Sequence, residues 1–332
     1  MRRSRIGIWA GGLVAAMMLS SSAAWTEESA AEYPSRPVTF IVPFAAGGST
    51  TLFARVIGQK LEQRLGKPFV IENKPGGGGM IGATQVVRAV PDGYTIMIAS
   101  STILAISYTV RKHMPYDPHK DLIPIALIAR VPYVLVVNPD LPVHSVGDLV
   151  KLAKDKPGQL SFGSVGPGTI HHLNAEMFKT IFGLNVVHVP YKGTALALQD
   201  VMAGHIQFMF SDVPPAKGLI DSGKVRALGV TTAQRVKALP KVPPLAEVGI
   251  PNYNTSSWQT IATTAGVPKP IVDKLSTEIR AVLAEPDVQE LLSNDGAIPQ
   301  VSPPPDELRK FVDSEIVRWG EVVTKAGIAH SQ

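Results

Sequence analysis

Two glycine-bearing loops are the first places where this sequence can do chemistry. Pro43-Phe44-Ala45-Ala46-Gly47-Gly48-Ser49-Thr50-Thr51 leads from an apolar run directly into an amphipathic stretch. Glycines let backbone N–H groups approach a ligand, and Ser49, Thr50 and Thr51 add hydroxyl donors at a helix start, so an anion fits there. An ordinary strand-to-helix turn with a Ser/Thr cap accounts for the same residues. Ser161-Phe162-Gly163-Ser164-Val165-Gly166-Pro167-Gly168-Thr169 repeats the pattern and offers a second anion site. Two such sites facing one another across a cleft suit a ligand with a carboxylate at each end. Ser100-Ser101-Thr102 and Pro190-Tyr191-Lys192-Gly193-Thr194 stand at further strand ends, which makes Ser100, Ser101 and Tyr191 candidates, with simple turn chemistry as the other explanation. Asp212 either orients a base or binds an ammonium, or caps the helix opened by Pro214-Pro215.

The patterns of catalysis and cofactor binding are poorly met. Gly77, Gly79 and Gly82 spell G-x-G-x-x-G, but Ser100, Ser101 and Thr102 stand where a dinucleotide site needs its ribose-binding acid, and no phosphate-loop motif occurs. Ser164 has Phe162 two residues before it, where a nucleophile elbow needs glycine. His171 and His172 are adjacent, so on a helix they diverge by about 100° instead of converging on a metal. Capping and core packing explain them more simply. The chain has no cysteine, which removes disulfides, thiolate nucleophiles, zinc-finger and iron–sulfur sites and an N-terminal lipid anchor. The expectation is a protein with no catalytic residue, no cofactor and no metal.

These loops need elements to hold them. The 332 residues, 45% hydrophobic and 18% charged, suffice for two domains with cores of their own and exclude wholesale disorder. Short β-branched runs alternate with amphipathic stretches, which predicts an α/β class built on parallel sheets. A strand over 38–44, a helix over 51–65 stopped by Gly66, a strand over 69–72, a helix over 81–90 and a strand over 95–99 make one βαβαβ half. The apolar 123–138 reads as an extended crossover interrupted by Pro132. Helices over 145–154, 169–182, 195–203 and 215–221 then alternate with strands over 160–163, 186–189, 206–210 and 225–230. A returning crossover over 258–263 carries Trp258, which reports a hinge or is simply a core residue. Helices over 270–283 and 306–324 then pack back on the first unit. Two domains are therefore expected, one from 25–128 with 255–332 and one from 129–254, joined by two crossovers that act as a hinge, with ligands at the carboxyl ends of the strands.

The N-terminus reads as a secretion signal spanning 1–24. Arg2, Arg3 and Arg5 precede an apolar run over 6–19, and Ser22 and Ala24 suit the −3 and −1 positions of a cleavage site. The run is shorter than the roughly 20 residues of a membrane span. Export to the periplasm follows, and loss of the leader reduces the formal charge from +5 to +2, with 29 Lys and Arg against 27 acids. Nucleic-acid binding then has no electrostatic basis.

The chain resembles the periplasmic solute-binding proteins of tripartite tricarboxylate transporters, the Bug or TctC-like family. The resemblance rests on YPSRPVTFIVPFAAGGSTTLFAR, PFVIENKPGGGGMIGA, PDGYTIMIAS, SFGSVGPGTIHHL, VPYKGTALALQDVMAGHIQFMF and the tail from Trp258, and so covers nearly the whole mature chain. It implies a two-lobed, type II periplasmic-binding-protein fold that closes on a small carboxylate, held through backbone amides, hydroxyls and waters. Carried onto this sequence, it nominates Phe44, Gly48, Ser49 and Thr50 in the first loop and Ser164, Gly166, Gly168 and Thr169 in the second. The expected partners are the carboxylate and membrane transporter subunits, and the protein is expected to be a monomer. The chain departs from the family's P-G-G-x-x-D pattern at Thr51, which replaces the aspartate, and at Ala46, which replaces the proline. An exported hydrolase using Ser164 or His171, and a sensor presenting its closed lobes to a membrane kinase, are the alternative functions.

Overall fold

The computed structural model describes residues 29–325 and 327–331, so the expected leader over 1–24 lies outside the described residues. Strand β1 (Val38–Val42) feeds helix α1 (Ser49–Leu65), whose buried Phe53, Ala54, Ile57 and Leu61 recur at helical spacing. The helix ends at Gly66, in the left-handed conformation at φ 71°. Strand β2 (Phe69–Asn73), a short turn at Gly77–Gly79, helix α2 (Met80–Val87) and strand β3 (Thr95–Ser100) follow. The glycine run thus forms the tight turn before α2. Beyond β3 the chain winds at once into a wide helical turn, Thr102–Ile106, and helix α3 (Ser107–Val110).

The predicted crossover over 123–138 is a single 16-residue strand, β4 (Leu122–Val137). Pro132 does not break it, because it sits where β4 exchanges sheets. Up to Pro132 the strand pairs with β9 (Ser256–Thr264), and from Tyr133 onward with β7 (Phe208–Asp212) and β8 (Arg226–Val230). Between β4 and β7 come helix α4 (Val146–Asp155), strand β5 (Ser161–Ser164), helix α5 (Ile170–Phe182), strand β6 (Val187–Pro190) and helix α6 (Thr194–Met202). Helix α7 (Val213–Asp221) links β7 to β8. After β9 come helix α8 (Lys269–Leu283), helix α9 (Pro286–Asn294), strand β10 (Ile298–Pro299) and helix α10 (Pro305–Lys325).

The strand order is β2-β1-β3-β9-β4-β7-β5-β6, with β8 and β10 added on β4. The sheets are mixed rather than parallel: β1, β2 and β3 run parallel, as do β5, β6 and β7, whereas β9, β4, β8 and β10 are antiparallel to their partners. The two long strands that pass between the lobes impose this, since a chain that leaves and returns through adjacent strands must run in opposite directions. Thr231 braces the passage: its hydroxyl accepts from Tyr133 N–H (3.1 Å) and donates to Thr255 O (2.8 Å).

Each sheet is covered by apolar packing on both faces. In the first lobe one face packs under α1, α8 and α9 and the other under α2 and α10; in the second lobe Phe162, Phe178, Phe208 and Phe210 centre one face and Val134, Val136, Met209 and Val213 the other. Trp258 is a core residue of the first lobe, 2% exposed, and its indole N–H donates to Glu315 of α10 (2.7 Å). Among the described residues no helix is long and apolar enough to cross a membrane.

Candidate functional site

Strand-to-helix turns from both lobes converge on one small buried cavity. Its walls are Phe44, Ala45, Gly48, Ser49 and Thr50 of the first loop, Ser100 and Thr102 after β3, Tyr133 of β4, Val165, His171, Thr194, Asp212 and Gln259 of β9. The cavity measures about 30 Å³, room for an ordered water or two. A whole small acid enters only if the lobes part or the walls give way. The starts of α1, α5, α6 and α7 border it, each bringing the positive dipole end of a helix near.

The structure gathers six of the expected contacts at this cavity: Phe44, Gly48, Ser49, Thr50, Ser100 and Asp212. The others are placed differently. Ser101 lies behind it, its hydroxyl 2.8 Å from that of Ser257. The second loop is closed on itself: Ser164 Oγ accepts from Gly166 N–H (3.0 Å) and lies 2.6 Å from His188 Nε2, and the Thr169 hydroxyl donates to Gly166 O (2.7 Å). Gly168 donates its N–H to His172 Nδ1 (3.3 Å). The loop therefore meets the cavity through Val165, while Ser164, Gly166, Gly168 and Thr169 shape the turn. Tyr191 is also off the cavity, with its hydroxyl donating to Asp200 (2.6 Å). Thr51 accepts from the Asn73 side chain (3.1 Å), which also donates to Phe44 O (2.8 Å). Position 51 thus pins the loop to β2 and is not among the residues lining the cavity.

Asp212 occupies the N-cap position of α7, yet its side chain makes no cap hydrogen bond. It turns across the interlobe seam. Oδ2 accepts from the Ser49 N–H (3.2 Å), and Oδ1 accepts from the Thr194 hydroxyl (2.8 Å) and faces His171 Nε2 at 3.1 Å. Burial acts to raise the Asp212 pKa, but the hydrogen bond and charge of His171, with the donors Ser49 and Thr194, hold it below the ordinary carboxylate value. Asp212 is therefore an anion, and Nε2 of His171 is the nitrogen that carries the proton toward it. Burial, with Asp212 nearby, raises the pKa of Tyr133, whose ring packs edge-on to His171 at 4.9 Å.

Three buried polar atoms of cavity-lining residues have no partner: Ser100 Oγ, His171 Nδ1 and Gln259 Oε1. Buried polar groups are normally satisfied, so these are the groups a ligand would engage. Gln259 and Tyr133 escaped the sequence reading; Ala45, Thr102, Val165 and Thr194 lie within the candidate loops without having been singled out as contacts, and His171 was read as a cap, a core residue or a hydrolase residue. The signal for Gln259 was a polar residue within a strand whose neighbours are buried, and for His171 a ring in the first turn of a helix that opens at a strand end.

The lobes touch directly around this site. Ala45 N–H donates to Lys192 O (3.0 Å) and Ile170 N–H to the Thr102 hydroxyl (3.3 Å). Arg111 Nη2 donates to Gly77 O (2.7 Å) and to Pro167 O (3.2 Å), so one guanidinium joins the turn before α2 to the second loop. The G-x-G-x-x-G run is thus an interlobe contact surface. A Cβ at Gly78 would sit 3.0 Å from Pro167 O, and one at Gly166 3.1 Å from Gly78 N.

A family model described as tripartite tricarboxylate transporter family receptor matches residues 53–328. Among solved structures, R. palustris Rpa4515 with adipate is 40% identical, at a TM-score of 0.85 over 90% of this chain and 99% of that one. The periplasmic binding protein BugD is 35% identical, at a TM-score of 0.86 over 90% and 99% of the two chains. MatC (Rpa3494) from Rhodopseudomonas palustris with bound malate is 30% identical, with a TM-score of 0.83 over 88% and 100%.

Proposed function

The chain belongs to the tripartite tricarboxylate transporter receptor family, and on that premise we propose that it captures a small carboxylate between its lobes and hands it to membrane transporter subunits, without chemistry. The observation that carries this reading is the cavity, where helix N-termini from both lobes meet three unpartnered buried polar atoms. The adipate in Rpa4515 and the malate in MatC support a carboxylate as the ligand class. The lobes, 25–128 with 255–332 and 129–254, move about the β4 and β9 passages as the ligand enters. The binding residues are the cavity-lining Phe44, Gly48, Ser49, Thr50 and Ser100, joined by His171 and Gln259, while Asp212, also on the wall, is an acceptor and would face a ligand only through a cationic or protonated group. The protein works as a monomer in the periplasm after loss of its leader.

Ser164 and His171 do not support a hydrolase. Ser164 is fully buried behind the loop and pairs with His188, while His171 pairs with Asp212 and Thr194. Among the described residues, Asp212 is the one acid on the cavity wall that an amino acid's ammonium could meet, but its carboxylate already takes the Ser49 N–H and the Thr194 hydroxyl and faces His171. Asp212→Asn should abolish any response to amino acids if it serves as that partner. Charge-assisted hydrogen bonds contribute about 1.5–3 kcal/mol each, so a few of them reach micromolar affinity after ordering costs. Mass spectrometry of small molecules released from the purified, denatured protein should identify the ligand. A thermal-shift panel of succinate, malate, adipate, citrate, phthalate and benzoate against aspartate and glutamate should show stabilisation by the acids. Stabilisation by the amino acids alone would overturn the reading.

A further inference from the structure

The helix start expected to bind a ligand's carboxylate already holds one that belongs to the protein. Asp212, 3% exposed, comes from the second lobe and accepts the N–H of Ser49, the first residue of α1 in the first lobe. Thr194 and His171 of its own lobe fix it from behind. The arrangement is what a bound anion makes at a helix N-terminus: an uncompensated amide, a favourable dipole end and flanking donors. We propose that Asp212 is a built-in substitute carboxylate that clasps the two lobes through the Ser49 amide, so that closure of the cleft is held in part by the protein's own anion. The proposal rests on the reading of the cleft as a carboxylate site, and its consequence concerns affinity. A ligand that draws on the α1 N-terminus competes with Asp212 for it, whereas Ser100, Gln259 and His171 Nδ1 remain free for the ligand alone.

The clasp separates from other roles of these residues because it uses a backbone donor. Ser49→Pro removes the N–H at the first helical position, where proline is well tolerated and its φ is suited to the helix. Gly48 before it is extended, at φ −95° and ψ 174°, as a residue preceding proline must be. Ser49→Ala keeps the N–H and serves as the control. The test is small-angle scattering and melting of the full chain, which needs no knowledge of the natural ligand and so stands or falls separately from the transport reading. Ser49→Pro should give a larger radius of gyration and a Tm lowered by roughly 5 °C with an unchanged circular dichroism spectrum, while Ser49→Ala scatters like the wild type. Asp212→Ala should expand in the same way and be restored toward wild type by millimolar acetate or formate but not by chloride at equal ionic strength. Acetate should leave Ser49→Pro expanded, since the amide that would hold it is gone. A wild-type radius for Ser49→Pro, or no response of Asp212→Ala to acetate, overturns the clasp. If Asp212→Ala fails to fold, the Ser49→Pro and Ser49→Ala pair decides.

Discussion

Gly47 and Gly48, adjacent in sequence, answer to different constraints. Gly47 has φ 94°, and a Cβ there would lie 2.8 Å from the Cβ of Ala195 in the other lobe. Gly48 is extended, and its added Cβ would meet nothing closer than Thr194 Oγ1 at 3.7 Å. Gly47→Ala should therefore cost about 1–2 kcal/mol and push the lobes apart, whereas Gly48→Ala should melt like the wild type. Thermal melts and scattering of the two variants check this. A second residue-scale constraint lies behind the second loop. The rings of His172 and His188 stack at 4.3 Å, and Phe162 stacks on His188 at 4.9 Å. Burial, with Lys179 facing His172 and with His172 and Lys179 facing His188, depresses both histidines to about 4. Their folded values lie below the unfolded value of about 6.5, so the unfolded chain takes up protons first. Stability is complete above about pH 6.5 and declines as the pH falls toward 4. A Tm that stays flat between pH 7 and 5 would contradict this, and His188→Phe, which keeps a ring in the stack but takes up no proton, should flatten the slope.

Helix α10 is joined to the first-lobe sheet by one buried acid. Glu315 Oε2 accepts from the indole N–H groups of Trp258 in β9 (2.7 Å) and Trp319 (3.1 Å), and both carboxylate oxygens take hydrogen bonds from Arg318. Removing the acid strands two buried donors and a guanidinium. Glu315→Ala should destabilise by about 3 kcal/mol, read as a lower denaturant midpoint. Glu315→Gln keeps one acceptor and should lose less. Of the two readings of Trp258, hinge reporter or core residue, the structure favours the core, because the ring is buried and its indole is spent on α10. The long strands show the same logic of anchorage. Tyr133 of β4 is paired in register with Asp212 of β7, and Gln259 of β9 with Ala129 of β4, so the two strands that pass between the lobes also set cavity walls.

At the scale of the molecule, closure depends on contacts far apart in sequence. Arg111 reaches the carbonyls of Gly77 and Pro167, on opposite lobes, and lies beside the close approach of Gly78 and Gly166. Burial lowers its pKa, as it does for any cation withdrawn from water, while the guanidinium stays charged at neutral pH. Arg111→Ala should weaken closure and raise the radius of gyration without unfolding either sheet, because the side chain packs on loops and not in a core. Ligand binding should reverse the expansion, since a molecule touching both lobes stabilises the closed form by its differential affinity. Equal radii for the variant and the wild type would show that the clamp is dispensable.

What the sequence determined by itself is what local physics controls. Alternating apolar runs and amphipathic stretches specify strands and helices, and glycine, serine and threonine at their junctions mark helix starts. That is why Gly48, Ser49, Thr50, Ser100 and Asp212 were legible at strand ends, on the side where the cavity lies, whereas Phe44 was nominated by the family resemblance. The departures came where a residue's neighbour is distant in the chain. Pro132 read as an interruption because its place at the exchange between sheets depends on β9, more than a hundred residues later. Ser164 and Thr169 read as free donors because nothing local reveals that His188 and the Gly166 carbonyl consume them. His171 and Gln259 enter the site only once α5 and β9 are placed against Asp212 and Ser100. Local spacing selects which residues stand at a strand end; only the tertiary register decides where each side chain points and which partner reaches it first.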